Sequence, residues 1–502
     1  MDKMTKHGTI AVVLFLTLTM HAGAQNATPA TPEVLRVTRY ADDGNAGSLR
    51  WAIEQSNLAP GRWRIEIVAN GTPPYVIKPA SPLPPVKGPV QIEGAAWKKT
   101  GDFIVLDGSA YVENKGTQTC PGAIPGQFGA NVRTTTHPGL ALVETRGVDI
   151  SGLEIRNFCI GVLIHRASHN VIHDNRIAGN RGGAGVMLTG DDGNGNSTLT
   201  TTLNNQVMRN EFIDNGDGLE LTRGAAFNLV ANNLFRSTPA NPEPSQGIEV
   251  LQGHDNVMVS NRFEGYSDGI QVNSGNRNYI GFNTFTDNAF ALSMTGVGNV
   301  IEGNFIFGNA VGIAMRPTPV PTRARITRNA IYGNGQPIER CWMGGSCDPN
   351  IRKGGIVFGS PGNAHMGYVG NRAFGVPLDP ARRVKICPDG APNCDGPPND
   401  GLTPPVLDNV RRTGTHVTVQ GHVQGSPSSR FAVEVFGNRQ SGGTEGETFL
   451  GEVVTTSDPN GQARFTLMLE PTLQVLPASF TATVTSAAGA TSEFSKPVGL
   501  SE

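Results

Sequence analysis

Between residues 161 and 334 the chain repeats one short pattern of apolar and polar positions. An apolar burst opened by a small residue recurs as Gly161-Val162-Leu163-Ile164, Gly185-Val186-Met187-Leu188, Gly218-Leu219-Glu220-Leu221, Gly247-Ile248-Glu249-Val250, Gly269-Ile270-Gln271-Val272, Ala291-Leu292-Ser293-Met294 and Gly312-Ile313-Ala314-Met315. A second phrase lies between these bursts: an Asn with Ile or Phe two positions later. It reads Asn175-Arg176-Ile177, Asn210-Glu211-Phe212, Asn233-Leu234-Phe235, Asn261-Arg262-Phe263, Asn283-Thr284-Phe285, Asn304-Phe305-Ile306 and Asn329-Ala330-Ile331. The cleanest copies lie roughly 21–24 residues apart, within the range of solenoid repeats. Apolar residues alternate with period two, Gly and Asn cut the runs, and no helical stripe is present, so the pattern predicts short strands.

These strands predict an all-β fold, a right-handed parallel β-helix built as a single solenoid. Each repeat forms one coil, and coils stack at about 4.8 Å. Val162, Val186, Leu219, Ile248, Ile270, Leu292 and Ile313 then form one inward aliphatic column. The Asn of each second phrase forms a ladder at a bend, where stacked amides bond one another and the turn backbone. A weaker ladder is expected at Asn180, Asn215, Asn288, Asn309 and Asn334. A leucine-rich solenoid would need an L-x-x-L-x-L signature, which is absent.

Outside the repeats the pattern changes twice. Ser48 followed by Leu49, Ala52 and Ile53 on one face predicts a capped helix, placed to cover the open end of the first coil. Strands are expected at Val34–Val37, Ile65–Val68, Tyr75–Ile77, Val90–Ile92 and Phe103–Leu106, and a last coil at Gly355–Phe358. From Pro404 longer alternating runs, such as His416–Gln420 and Phe431–Val435, predict about seven strands of a small immunoglobulin-like sandwich. The expected organisation is a signal peptide over 1–24, a β-helix over 35–375, a linker over 376–403 and the sandwich over 404–502.

The stretch Ala41-Asp42-Asp43-Gly44, with Gly47-Ser48-Leu49-Arg50-Trp51-Ala52-Ile53, resembles the start of many secreted bacterial β-helix repeat proteins. These are similar to the pectate-lyase-like superfamily of polysaccharide lyases, glycoside hydrolases and epimerases. The resemblance covers nearly the whole mature chain. It implies the fold and an extracellular glycan partner without specifying a reaction.

Composition narrows the setting. A basic start (Lys3, Lys6, His7), an apolar run from Ile10 to Met20 and Ala22-Gly23-Ala24 predict a secretory signal, hence a secreted, periplasmic or cell-surface protein. No other segment is suited to spanning a membrane. Net charge is only -2, which argues against nucleic acid, and the chain is expected to be a monomer. Six cysteines in an exported chain suggest disulfides: Cys341 with Cys347, Cys387 with Cys394, and Cys120 with Cys159 as a third pair. No resident cofactor or metal is expected. Asp389, Asp395 and Asp400 in the linker offer a Ca²⁺ alternative that turn chemistry explains equally well.

Candidate chemistry comes from the outward positions. If Leu219 and Ile248 point in, then Glu220, Glu249, Gln271 and Ser293 share an outward column, with His165, Asn273 and Arg316 in a second column beside it. Together they describe a shallow polar strip suited to an extended polymer. Glu220 and Glu249 fall on adjacent coils, about 5 Å apart, so one of them is expected to hold its proton more tightly. Asp217 and Asp268 each precede a strand Gly and fall two coils apart, roughly 9–10 Å. Paired carboxyls with separated affinities for a proton suit acid–base work on a glycosidic bond. Asp217, Glu220, Glu249 and Asp268 are therefore the candidate catalytic groups, and Gln271, Asn273, Arg223, His165 and Arg316 the candidate substrate contacts. The plain alternative is solvated carboxylates and Asp-Gly turns. Asp268-Gly269-Ile270 is similar to a phrase at polygalacturonase active sites, but that family's double Asp and its Arg-Ile-Lys are missing. Two functions follow: a carbohydrate-active enzyme working by hydrolysis, elimination or epimerisation, or a non-catalytic protein that binds glycans or surfaces.

Overall fold

The inward column forms as expected: Val162, Val186, Leu219, Ile248, Ile270, Leu292 and Ile313 are all fully buried. The computed structural model describes residues 32–110, 112, 137–181, 183–190, 200–241, 244–316, 322–337, 352–358, 398–469 and 476–501. The expected signal peptide, most of the linker and five of the six cysteines lie outside these residues. The sixth, Cys159, is buried and disulfide-bonded.

Among the described residues the coils form three long parallel sheets of 11, 10 and 9 strands and a small one of two. Register is strict: Leu219 pairs with Ile248, Ile248 with Ile270, and Ile270 with Leu292. Apolar positions thus stack on apolar positions over the length of the solenoid. Inside, Phe212, Phe235, Phe263 and Phe285 stack nearly parallel, with ring centroids 4.5, 4.9 and 4.8 Å apart. These rings explain the glycine that opens each burst. A Cβ on Gly247 would meet the Phe263 ring at 2.6 Å and the Gly269 carbonyl at 2.5 Å.

The bends are held by Asn ladders. The Oδ1 of Asn261 accepts from the backbone N–H and the Nδ2 of Asn233, both at 3.0 Å, and its own Nδ2 donates to Val230 O at 2.9 Å. The second ladder repeats this, from Asn180 to Asn215 and from Asn288 to Asn309. A third ladder runs through Asn170, Asn205, Asn228, Asn256, Asn278 and Asn299. Each amide satisfies backbone groups that a tight buried bend would leave unpaired.

Both ends of the solenoid are covered. The helix Leu49–Leu58 buries Leu49, Ala52 and Ile53, and Ser48 Oγ caps it by accepting from Trp51 N. Arg50 forks onto Asp42 at 2.8 and 2.7 Å, and Asp42 also accepts from Ala80 N. The Asp42-to-Ile53 phrase is therefore a capping device. At the far end, among the described residues, seven antiparallel strands form two sheets, the first opening with Val406–Thr413, a strand the alternation did not reveal. Glu445 ends one ladder by accepting from Asn334 N at 3.1 Å and Asn334 Nδ2 at 3.0 Å. Glu434 takes Arg328 N at 2.9 Å and the Thr327 hydroxyl. Burial raises the pKa of both glutamates, and these hydrogen bonds only partly offset the rise.

Candidate functional site

The third sheet positions the chemistry. Its strands Ala184–Thr189, Asp217–Leu221, Gln246–Leu251, Asp268–Asn273, Phe290–Met294 and Val311–Met315 lie side by side. Their outward residues fall into rows across the strands. One row reads Met187, Glu220, Glu249, Gln271, Ser293 and Ala314. Glu220 and Glu249 are direct neighbours, as the register predicted. The outer face departs from the expected open groove. Met187 and Ser293 are fully buried, and Glu220 and Gln271 each keep only 4% of their surface. Two buried apolar clusters flank the polar centre: Ile160, Leu163, Ala184 and Met187 on one side, and Ala289, Phe290, Val311, Ala314 and Val357 on the other.

Carboxylate oxygens of Asp217, Glu220 and Glu249 all lie within 4.8 Å of one another. The strong upward pKa shift falls on Asp217. Burial is its main cause, followed by the negative charges of Glu220 and Glu249. Asp217 Oδ1 accepts from Gln246 N at 3.0 Å, which only partly offsets the shift. Glu249 Oε1 accepts from Asn273 Nδ2 at 3.2 Å. Arg316 Nη2 donates to Asn273 Oδ1 and, at 3.0 Å, to Val272 O. Arg316 can only donate, so Asn273 must turn its oxygen to Arg316 and its NH₂ to Glu249.

The other candidates spread out. Asp268 lies two coils from Asp217 in the same row, and Ser267 Oγ donates to it at 2.8 Å. Gln271 is beside Glu249, and its Oε1 accepts from Asn273 Nδ2 at 2.5 Å. Arg223 Nε donates to Gln252 at 3.0 Å, in the turn beyond the strand. His165 sits opposite Thr189, three coils before the Glu249 strand. Arg316 begins further away than Glu249's neighbours, but its side chain runs back over two coils to reach Asn273. Asp400, of the linker acids, forks with Arg323 at 3.0 and 2.7 Å; Asp389 and Asp395 lie outside the described residues.

Sequence reasoning missed two groups on this face. Ser245 hydrogen-bonds Asp217, and Gln246 fixes it through the backbone. Ser293 was placed in the outward column without a role. Among the described residues, two hydroxyls, Thr222 Oγ1 and Ser293 Oγ, and Arg316 Nε are buried with no hydrogen-bond partner. The trio of carboxylates offers hard oxygen donors that would suit Mg²⁺, Mn²⁺ or Ca²⁺. It contains no sulfur or imidazole. Its other capability is proton transfer at one place on one face, by a carboxylic acid beside carboxylates.

The chain is 51% identical over 474 residues to the 3-dehydroshikimate dehydratase of Acinetobacter baylyi; the match covers 94% of this chain and 96% of that protein. The family model described as "right handed beta helix region" matches residues 101–261, and that of "periplasmic copper-binding protein (NosD)" matches residues 197–341. Among solved structures, the A-module of the mannuronan C-5 epimerase AlgE4 from Azotobacter vinelandii aligns at 16% identity and a TM-score of 0.33, covering 56% of this chain and 79% of that one. An exopolygalacturonase from Thermotoga maritima aligns at 14% identity and a TM-score of 0.34, covering 62% of this chain and 90% of that one. At these values the structural likeness carries no information about chemistry.

Proposed function

The chain belongs to the family of the Acinetobacter baylyi 3-dehydroshikimate dehydratase, a family of right-handed β-helix proteins, and on that premise we propose that it removes water from 3-dehydroshikimate. One observation carries the reading: three carboxyl groups, Glu220 buried and Asp217 and Glu249 half-buried, meet on one face, where burial and like charge push the pKa of Asp217 up. That arrangement suits a small substrate drawn out of water better than a long polymer lying in an open groove.

The substrate is a ring bearing a ketone, a C–H on the adjacent carbon and a hydroxyl on the next. Glu249, oriented by Asn273, takes the C–H proton, and the bonding pair is delocalised onto the ketone as an enolate. The enolate collapses, the C–O bond breaks with its electron pair, and the departing oxygen takes the proton of Asp217. Water leaves, and the resulting dienone rearranges to an aromatic dihydroxybenzoate. Asp217 ends ionised and Glu249 protonated; their closeness lets the proton return directly. Base and acid act from the same side, so the proton and the hydroxyl leave from one face of the ring. Glu220 adds negative charge beside Asp217 and keeps it a proton donor. Asp268 and Gln271 extend the same polar face toward the substrate.

The test is turnover by the purified wild-type protein. Incubation with 3-dehydroshikimate should produce dihydroxybenzoate absorbance, and a panel of uronate and neutral polysaccharides should remain uncut. Depolymerisation of a glycan without dehydration would replace this reading with the polysaccharide one, which the resemblance at Asp42–Ile53 suggested. We place the protein in the periplasm or outside the cell, following the N-terminal signal pattern. Mature protein beginning near Gln25 in a periplasmic extract would support this, and an intact Met1 there would not.

A further inference from the structure

A face carrying three carboxyl groups repels an anionic substrate, so binding one requires a positive charge at a set distance from the base. Arg316 supplies that charge. Its backbone pairs one coil beyond Thr295, and its Nη2 reaches back to Val272 O and Asn273 Oδ1. The guanidinium thus lies along the row next to Gln271 and Ser293. One edge is occupied, yet among the described residues Nε is buried with no acceptor. On the adjacent row Ser293 Oγ is fully buried and also has no partner among the described residues. A buried guanidinium N–H and a buried hydroxyl left open together await an acceptor.

We propose that Arg316 Nε and Ser293 Oγ form the subsite for the carboxylate of the substrate. This rests on the dehydratase reading for the identity of the substrate, though not for the presence of a carboxylate site. The spacing fits. Ser293 lies two coils from Glu249 in the same row, which is roughly 9–10 Å. A six-membered ring acid spans roughly 5 Å from carboxyl carbon to the far ring carbons. Adding a hydrogen bond of about 3 Å at one end and the approach of the base at the other closes that distance. The Arg316 fork then does two things: one nitrogen orients Asn273 toward Glu249, and another holds the substrate.

The test compares Arg316→Met and Ser293→Ala with wild type, on 3-dehydroshikimate and on its methyl ester. A charge-assisted hydrogen bond predicts a rise in KM for the acid of about 10- to 100-fold in Arg316→Met. Ser293→Ala should raise it about 5-fold. Loss of the Asn273 contact should lower kcat on both substrates alike, but only the acid should also show the rise in KM, so that discrimination between acid and ester in KM disappears. A KM change of equal size on both substrates would show that Arg316 acts only through Asn273 and would overturn the proposal. So would an unchanged KM, which would mean that water alone fills the site. Calorimetric titration with shikimate, which keeps the carboxylate and lacks the ketone, separates the two readings. If wild type turns over nothing but binds shikimate in an Arg316-dependent way, the dehydratase reading fails and the carboxylate subsite stands. Binding that is indifferent to Arg316 sinks the subsite. Thermal melting of each variant confirms that it is folded.

Discussion

Asp217 sits where burial and two negative neighbours both favour its acid form. Its pKa is raised by burial and by two negative neighbours, so it favours the acid form above the usual carboxylate range. The sign follows for both activity and stability. The proton donor is present at low pH and lost as pH rises through the raised value, so kcat should fall on the alkaline side. Stability contributed by Asp217 likewise is complete below its ordinary pKa and disappears as pH rises through the folded one. Asp217→Asn should remove that alkaline limb, leaving a residual rate that is flat in this range. This placement was only half legible in the sequence. Adjacent coils announced the Glu220–Glu249 pair. That Asp217, three residues earlier on the same strand, brings a carboxylate oxygen within 4.8 Å of both was not legible, because backbone register does not say how far side chains reach along a strand.

The coil is the element that sets register, and its parts fail in specific ways. Asn261→Ala removes acceptors from two N–H groups of Asn233 and donors to Val230 and Asn283. Buried groups left unpaired cost about 1–3 kcal/mol each, so denaturation should show a loss of at least that size. Gly247→Ala drives a methyl group into the Phe263 ring and the Gly269 carbonyl, with an expected loss of about 1–3 kcal/mol. A neutral Gly247→Ala would contradict the close stacking of coil on coil. This scale was the most legible one. Period, inward column and two ladders follow from spacing alone. The third ladder escaped because its middle members, Asn205, Asn228 and Asn256, carry Val or Met two positions on, which breaks a phrase that Asn170, Asn278 and Asn299 do keep. Arg316 escaped as a neighbour of Asn273 because a long side chain crosses coils that backbone register counts as separate.

For the whole molecule, the far end of the solenoid is closed by two glutamates of the antiparallel region, Glu434 buried in the strand Arg430–Asn438 and Glu445 half-buried in the turn before the strand Thr448–Thr456. Glu445 takes over from the Asn334 ladder and Glu434 from the Thr327–Arg328 bend. Burial raises the pKa of both, so their contribution is fullest below the ordinary glutamate range and is lost as pH rises through the folded values. The difference in melting temperature between wild type and Glu445→Ala should therefore be largest near pH 4 and shrink toward neutrality. A difference that grows with pH would show that Glu445 acts as a stabilised carboxylate instead.

The central claim is that the covered outer face of the third sheet performs the chemistry through Asp217 and Glu249. It is tested most directly by kcat for 3-dehydroshikimate in Glu249→Gln, a change that keeps shape and removes the base. Loss of general-base catalysis predicts a fall of about 10²- to 10⁴-fold with an unchanged melting temperature. A folded Glu249→Gln protein with wild-type kcat would place the active site elsewhere.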